Sequence, residues 1–147
     1  MSEPAAQRAA AASPATLRVL VVDADERTRD SMAGLIAIRD RFQVVGRAGH
    51  LGDAVSLARE QRPDVVIMDP RLPEVSAGVA LIRAIRTIDP AIRILVLGWS
   101  PALEHASLEA GADAFVRKTF RPSELADAIS RCVGAEAGSS GTGTTVL

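Results

Sequence analysis

The sequence has few of the residues that form disulfides, metal centres or aromatic cores. Among its 147 residues it has one cysteine, two histidines and no tyrosine, and aromatic residues make up 3%. The single cysteine, Cys132, excludes an internal disulfide and a cysteine-based zinc site. The two histidines, His50 and His105, are too far apart in the chain to indicate a metal cluster. The hydrophobic core must therefore come largely from aliphatic residues.

An excess of charge of one sign and long apolar runs are also missing. Seventeen basic residues oppose 18 acidic ones, for a net charge of -1. This balance argues against a broad basic surface for nucleic acid or an anionic membrane. No apolar run approaches the roughly 18 residues of a membrane-spanning helix, and the alanine-rich start lacks the apolar stretch of a signal peptide. We therefore expect a cytoplasmic protein that binds neither nucleic acid directly nor a membrane.

Composition divides the chain into three parts. Residues 1–16 contain little that can be buried and are predicted to be a disordered leader. Residues 134–147 are rich in Gly, Ser and Thr, which predicts a flexible tail. Residues 17–133 carry all the hydrophobic periodicity and are predicted to form one domain.

Within that domain, short apolar runs alternate five times with helical spacing of apolar residues. Turn residues such as Pro63 and Pro90 separate the two kinds of pattern. The second run, beginning at Phe42, is expected to end at Val45 because Gly46 follows it. Five strands that are each followed by a helix predict parallel pairing, right-handed crossovers and helices on both faces of the sheet.

The composition of the strands predicts their order in the sheet. The first, third and fourth runs are almost continuously apolar, as expected of strands buried on both faces, whereas the second and fifth suit the edges. The predicted fold class is therefore α/β, a doubly wound five-stranded parallel sheet of the flavodoxin-like type with strand order 2-1-3-4-5. In this topology strands 1 and 3 adjoin at the switch point, where functional residues gather.

Four residues directly follow the predicted strands and should line one crevice: Asp23, Asp69, Gly98 and Lys118. Taken singly, such aspartates are most often turn or helix-cap residues, and a lysine is most often solvated. Two converging carboxylates, however, repel each other unless a cation lies between them. A hard divalent cation together with a counter-lysine is one way to keep both ionised.

The residues around these positions form four segments in a specific order. They are Asp23 after the first strand, residues 64–73 (DVVIMDPRLP), residues 110–118 (AGADAFVRK) and residues 122–125 (PSEL). Together they resemble bacterial response-regulator receiver domains, in particular those that precede a helix-turn-helix output domain. The resemblance covers residues 17–133, and it implies a CheY-like fold.

The resemblance implies a signalling module, not an enzyme, that takes part in a phosphoryl relay with a sensor histidine kinase or another signalling protein. Asp69 matches the aspartate that accepts the phosphoryl group, and Lys118 matches the lysine that pairs with the phosphoryl oxygens. The Mg²⁺ ligands would be Asp23, Asp69 and the backbone carbonyl of Arg71. Pro73 matches a proline of the following loop, and Phe115 matches an aromatic whose rotamer follows activation.

Two family positions are not filled as usual. The second acidic residue after the first strand, usually a metal ligand, is Ala24, and the hydroxyl-bearing residue after the fourth strand is Gly98. Asp25 and Ser100 lie nearby as candidate substitutes. Mg²⁺ is usually held by only one or two protein carboxylates, so Ala24 predicts weak or absent Mg²⁺ binding. A hydrogen bond to a charged group contributes about 1.5 to 3 kcal/mol, so the missing hydroxyl at Gly98 predicts impaired phosphoryl switching. One extra residue between Pro73 and Gly78 suggests that the loop differs as well.

If the switch is weak, the output is expected to be protein binding. In the family, the surface of helix 4, strand 5 and helix 5 contacts partners and forms dimers, and a homodimer through this surface is one expected assembly. Here that surface would include Leu103, His105, Arg117, Arg121 and Glu124. The sequence does not name the partner or the kinase, or distinguish a stand-alone receiver from part of a longer regulator.

Two alternatives remain open. In the first, Asp25 completes the metal site and the domain is an ordinary phosphorylation-activated receiver that controls transcription through an output domain or a partner. In the second, the fold is a nucleotide- or flavin-binding module. That module needs a loop rich in Gly, Ser or Thr after the first strand to hold phosphate, whereas this chain has Asp23, Ala24, Asp25 and Glu26 there.

Overall fold

In the computed structural model, residues 16–118 and 121–134 are described. Strands and helices alternate along them. The strands are β1 (Leu17–Val22), β2 (Phe42–Ala48), β3 (Val65–Met68), β4 (Arg93–Gly98) and β5 (Ala114–Arg117), and the helices are α1 (Glu26–Ala37), α2 (Leu51–Gln61), α3 (Val75–Ile88), α4 (Ala102–Ala110) and α5 (Pro122–Gly134). The predicted leader and tail lie outside the described residues, apart from residues 16 and 134.

The five strands form one parallel sheet in the order β2-β1-β3-β4-β5. β1 and β3 are neighbours, because after β2 the chain crosses over β1 to form β3 on its other side. β2 and β5 are the edges, as their composition predicted. The flavodoxin-like, doubly wound fold predicted from the sequence is thus confirmed.

The predicted end of the second strand is wrong. β2 continues through Gly46 to Ala48, and its pairing shifts by one residue, from Val19 opposite Val44 to Leu20 opposite Gly46. A Cβ atom at Gly46 would lie 3.2 Å from Leu20 Cδ1 and 3.3 Å from the Leu57 methyl groups. The glycine therefore lets α2 pack closely on the strand. In the sequence, a glycine needed for close packing looks the same as a glycine that ends a strand.

The core consists of two apolar clusters, one on each face of the sheet. Val19 and Val21 belong to the cluster beneath α1 and α5, and Leu20 and Val22 belong to the cluster beneath α2 and α3. Successive side chains of a strand point to opposite faces, so a strand covered on both sides must be apolar at every position. The central strands, buried along most of their length, position the residues that follow them.

Cys132 packs in the cluster beneath α5 and is buried. Burial raises the pKa of its thiol to about 12. The residue therefore acts as a small apolar side chain of the core.

Side chains form capping hydrogen bonds at the starts of α1 and α5. The Asp25 carboxylate accepts a hydrogen bond from the Thr28 N–H at the start of α1, and at α5 the Arg121 N–H donates to Glu124 Oε1. Pro122 is the first helical residue of α5, as predicted. α3 has 14 residues, and none of the helices in the described ranges is long and apolar enough to cross a membrane.

Candidate functional site

Two aspartates and a lysine meet at the carboxyl edge of the sheet. Asp23 follows β1, Asp69 follows β3, and each is 7% exposed. Lys118 follows β5, and its Nζ atom lies 3.0 Å from Asp23 Oδ2 and 2.5 Å from Asp69 Oδ2. The structure thus brings together three of the residues predicted to line the crevice, with the ammonium group bridging the two carboxylates.

The second oxygen of each carboxylate accepts a hydrogen bond from the loop that follows it. The Asp25 N–H donates to Asp23 Oδ1 at 2.9 Å, and the Arg71 N–H donates to Asp69 Oδ1 at 2.8 Å. The Asp69 N–H donates in turn to the Val22 carbonyl, at 3.1 Å, which ties the two strand ends together. Each aspartate is therefore held by one backbone donor and by the shared lysine.

Lys118 is the only lysine among the seventeen basic residues. Burial by itself lowers the pKa of its ammonium group, but hydrogen bonds to Asp69 and Asp23 raise it, and the net pKa lies above its ordinary value. The ammonium group is therefore charged at neutral pH. With its single positive charge opposing two carboxylates, the pocket is anionic.

Asp25, the candidate third carboxylate, does not face the pocket. Both the N–H and the hydroxyl group of Thr28 donate to Asp25 Oδ2, so the carboxylate caps α1. The hydroxyl hydrogen bond is the main cause of a lowered pKa of this carboxyl group. Ala24, at the position of the missing acid, is exposed. The loop after β1 therefore supplies one pocket carboxylate, from Asp23.

These groups are a poor fit to a magnesium site. In the part of the chain that the structure describes, no cluster of three or more His, Cys, Asp or Glu residues could hold a metal. Mg²⁺ can bind through two carboxylates when phosphate and water supply the other ligands. Here, however, Asp23 and Asp69 already share the Lys118 ammonium group. A cation at these carboxylates would lie beside the charged Lys118 ammonium group, and repulsion between the like charges would oppose its binding.

Position 98 provides no side chain to the pocket, and its neighbours do not replace one. The Ser100 hydroxyl accepts a hydrogen bond from the Ala102 N–H at the start of α4, at 3.1 Å. Phe115 is 3% exposed, and a Cβ atom at Gly98 would lie 3.0 Å from Cε2 and Cζ of its ring. The site therefore has the predicted aromatic residue but not the hydroxyl group.

Two residues near the site were not expected to contact it. The Arg29 guanidinium donates to the Asp23 carbonyl at 2.9 Å and lies so close to Gly49 that a Cβ there would be 2.5 Å from Arg29 Nη1. The Trp99 ring is 61% exposed, and its centroid is 5.7 Å from Lys118 Nζ. Trp99 directly follows Gly98, the last residue of β4, whereas no local pattern in the sequence indicates the contact of Arg29.

The loop after Asp69 passes close to α3. The Leu72–Pro73 peptide bond is cis, and a Cβ at Gly78 would lie 1.8 Å from the Pro70 carbonyl oxygen. Glycine is thus required where the first turns of α3 pass beneath the loop. The loop in turn supplies the Arg71 N–H that holds Asp69.

The residues predicted to form an interface lie on α4, β5 and the start of α5. Arg117 and Arg121 are exposed, whereas Leu103 and Glu124 are partly buried. His105 is exposed and lies 3.6 Å from Glu109 on the same helix. These residues thus lie on three elements that adjoin β5, an edge strand of the sheet.

The chain matches the response regulator receiver domain family over residues 19–130. It is 34% identical over 116 residues to the chemotaxis protein CheY of Thermotoga maritima, an alignment that covers 78% of this chain and 95% of that protein. It is also 34% identical over 116 residues to the DNA-binding transcriptional activator DevR/DosR of Mycobacterium tuberculosis, with 77% and 52% covered. The chain thus spans about half the length of that regulator.

Solved structures show the same relationship. A two-component response regulator of the LuxR family from Aurantimonas is 36% identical with a TM-score of 0.76, and 82% of this chain and 86% of that chain are covered. The receiver domain of the putative response regulator NarL from M. tuberculosis is 27% identical with a TM-score of 0.74, with 82% and 98% covered. Receiver domains are signalling modules that interact with histidine kinases and other signalling proteins. From its sequence, its fold and these relatives, the chain belongs to the family of response regulator receiver domains.

Proposed function

We propose that this receiver carries Asp69 at the phosphoacceptor position but acts mainly through protein contacts that depend little on Mg²⁺ and phosphorylation. One observation carries the proposal: Lys118 bridges Asp23 and Asp69, and the nearby carboxylate of Asp25 caps α1 instead of facing them. The pocket therefore lacks the third acidic group that would help a divalent cation compete with the lysine. This favours a family member with a weak switch.

The chemistry at Asp69 explains why a cation matters. In phosphoryl transfer, an oxygen of Asp69 would form a bond to phosphorus while the bond from phosphorus to the leaving atom of the donor breaks, and the leaving atom keeps the electron pair. A bound Mg²⁺ would neutralise charge on the transferred group. Here the available positive charge is the ammonium of Lys118, which already hydrogen-bonds to the nucleophile. We therefore expect slow phosphorylation.

Gly98 weakens the step that follows phosphorylation. A ligand shifts a conformational equilibrium only if it interacts differently with the two states. Position 98 has no hydroxyl group, and the Ser100 hydroxyl is hydrogen-bonded at the start of α4. A phosphoryl group on Asp69 would therefore have one hydrogen-bond donor fewer than in a receiver with a hydroxyl group at this position. The proposed output surface is that of α4, β5 and α5, for a signalling protein of the cytoplasm or for a second copy of the chain.

Phosphotransfer tests the proposal directly. We expect acetyl phosphate with Mg²⁺ to label the wild-type protein slowly and below one phosphoryl group per chain, with the label absent in Asp69→Ala. Ala24→Asp is the matched gain-of-function variant, because it restores an acid at an exposed position beside Asp23, and it should label faster. Rapid stoichiometric labelling of the wild type that is lost in Asp69→Ala would overturn the proposal.

The ordinary-receiver alternative requires Asp25 to be a metal ligand. A titration with Mg²⁺, followed by Trp99 fluorescence, distinguishes the two because the Trp99 ring lies beside Lys118. We expect Asp25→Ser, which keeps a helix-capping oxygen, to respond as the wild type does. A millimolar response that needs both Asp23 and Asp25 would favour the alternative.

A further inference from the structure

Trp99 exposes a large apolar ring beside the pocket. Within the described residues, the large hydrophobic side chains that are exposed are those of Trp99 and Ile38, at 61% and 73%. Trp99 belongs to neither apolar cluster of the core. Its ring centroid lies 5.7 Å from Lys118 Nζ, but the Lys118 ammonium group already hydrogen-bonds to two carboxylates. Neither core packing nor the charge of Lys118 therefore requires a tryptophan at this position.

The loop that carries Trp99 is short and is held by hydrogen bonds. Three residues, 99–101, connect β4 to α4. The Ser100 hydroxyl accepts a hydrogen bond from the Ala102 N–H at 3.1 Å, and the Ser100 carbonyl accepts one from the Leu103 N–H at 3.0 Å. A side chain presented from a restrained backbone loses less conformational freedom when it binds. Trp99 thus has the properties of a preformed anchor for a partner.

Exposed arginines lie at the ends of the two strands on either side of the strand that leads to Trp99. In the sheet, β4 lies between β3 and β5. Arg71 follows β3, and Arg117, which pairs with Gly98, is the last residue of β5. Both arginines are exposed, and in the part of the chain that the structure describes neither side chain forms an ion pair. The strand ends beside Trp99 therefore present positive charge to a partner.

We propose that Trp99, Arg71 and Arg117 form a docking site for an acidic segment of a partner protein. An apolar side chain of that segment covers the Trp99 ring, and its carboxylates pair with the two arginines. Tryptophan and arginine are enriched among the residues that dominate the binding energy of protein interfaces, and complementary charge selects the partner. The inference rests on the proposed function for output through protein contacts, and it names the chemistry of the partner.

Peptide selection tests the proposal with a defined probe. The unphosphorylated protein is used to select from a phage-displayed library of random dodecapeptides, without Mg²⁺ or a phosphodonor. We expect the selected peptides to be enriched in Asp and Glu beside an apolar residue, and their affinity to fall as the salt concentration rises, because salt screens exposed charges. Selection of basic or uncharged peptides, or of no peptide, would overturn the inference.

Variants of the protein locate the binding of a selected peptide, measured by fluorescence anisotropy of the labelled peptide. Trp99→Ser should weaken binding at least about 30-fold, the effect of removing an interface hot spot. Arg71→Ser and Arg117→Ser should each weaken it about two- to fivefold, as expected for exposed ion pairs. The matched controls, Ile38→Ser at the other exposed apolar side chain and Arg83→Ser at an exposed arginine of α3, should not change binding. Equal binding to the wild type and to Trp99→Ser would contradict the inference.

Two comparisons separate this inference from self-association and from the proposed function. A wild-type dimer in analytical ultracentrifugation that is lost in Trp99→Ser would assign the site to a second copy of the chain and overturn the acidic partner. Peptide binding that needs Trp99, together with rapid labelling of wild-type Asp69 by acetyl phosphate, would overturn the proposed function but support this inference. Slow labelling without any peptide that needs Trp99 would overturn this inference alone.

Discussion

At the scale of single residues, Lys118 offsets the energetic cost of burying the two pocket carboxylates. Its side chain is 7% exposed, and within residues 16–118 and 121–134 it is the one cation bonded to both Asp23 and Asp69. Removing one partner of a buried ionic group leaves uncompensated charge, which typically costs about 3 to 5 kcal/mol. The lysine is thus a structural residue as well as a candidate functional one.

We expect Lys118→Met to lower the free energy of unfolding by about 3 kcal/mol at pH 7, measured by urea denaturation. Adding Asp69→Asn to this variant should recover part of the loss, because it removes one of the two unpaired charges. The control is Arg47→Met, which breaks a half-exposed pair with Asp30 and should change stability little. Wild-type stability of Lys118→Met would show that the bridge contributes nothing.

We expect two groups, Cys132 and Lys118, to lower the free energy of unfolding at alkaline pH. The pKa of the Cys132 thiol is raised from 9.0 to about 12 by burial, so between these values the unfolded chain loses a proton that the folded protein keeps. The pKa of Lys118 is also raised above 10.5, because its bonds to Asp69 and Asp23 outweigh burial. In both cases the folded state binds more protons, so the stabilisation is complete at lower pH and is lost as pH rises.

We expect the free energy of unfolding to fall by about 1.4 kcal/mol per pH unit above pH 9 through Cys132, and more steeply above pH 10.5 through Lys118. The chain has no tyrosine, so tyrosine ionisation does not contribute to this region. Urea denaturation as a function of pH measures the slope. Cys132→Ala should lose the first phase and keep the second, and an unchanged profile in this variant would contradict the assignment.

At the scale of secondary-structure elements, the contact between the loop after β3 and α3 holds the phosphoacceptor position. A Cβ at Gly78 would lie 1.8 Å from the Pro70 carbonyl oxygen, a backbone atom. The same loop places the Arg71 N–H on Asp69. Any larger residue at position 78 must therefore separate the helix from the loop and disturb Asp69.

We expect Gly78→Ala to destabilise the protein by about 3 kcal/mol, since backbone must move to admit the methyl group. Gly34→Ala, at an exposed position of α1, should instead stabilise it by about 0.5 to 1 kcal/mol, the usual difference between the two residues inside a helix. Thermal unfolding of both variants measures the contrast. Similar melting temperatures for the two would show that the loop yields easily.

β2 illustrates where prediction from the sequence reached its limit at this scale. Its apolar residues predicted a strand, and the glycine predicted the end of that strand. The structure uses Gly46 for a close contact with Leu20 and Leu57 inside a longer strand. Glycine is favoured both in turns and where two elements pack closely. The local sequence pattern alone therefore does not show which of these two roles a glycine has.

At the scale of the whole molecule, the carboxyl ends and the amino ends of the parallel strands have different roles. The carboxyl edge carries the acidic pocket. At the amino edge Asp113 accepts hydrogen bonds from the Arg86 guanidinium and from the buried Ile94 N–H. Arg86 also donates to the Gly111 and Ile92 carbonyls. This network ties the end of α3 to the starts of β4 and β5, and its role is structural.

We expect Asp113→Ala to lower the free energy of unfolding by about 2 kcal/mol, because the buried Ile94 N–H loses its charged acceptor. Phosphotransfer to Asp69 and the fluorescence of Trp99 in the folded protein should not change, since the two sites lie at opposite edges of the sheet. Asp30→Ala is the exposed control and should have little effect on stability. A changed Trp99 signal would reveal coupling across the sheet.

The sequence by itself determined the α/β class, the strand order and the three charged residues of the pocket. Alternating apolar periods and turn residues are local, and parallel strands bring their carboxyl ends to one edge whatever the packing details. Tertiary structure decided where Asp25 points, which residue fills the space beside Gly98 and that Arg29 reaches Asp23. Each of these depends on side-chain direction and on distances between elements far apart in the chain, which no local pattern encodes.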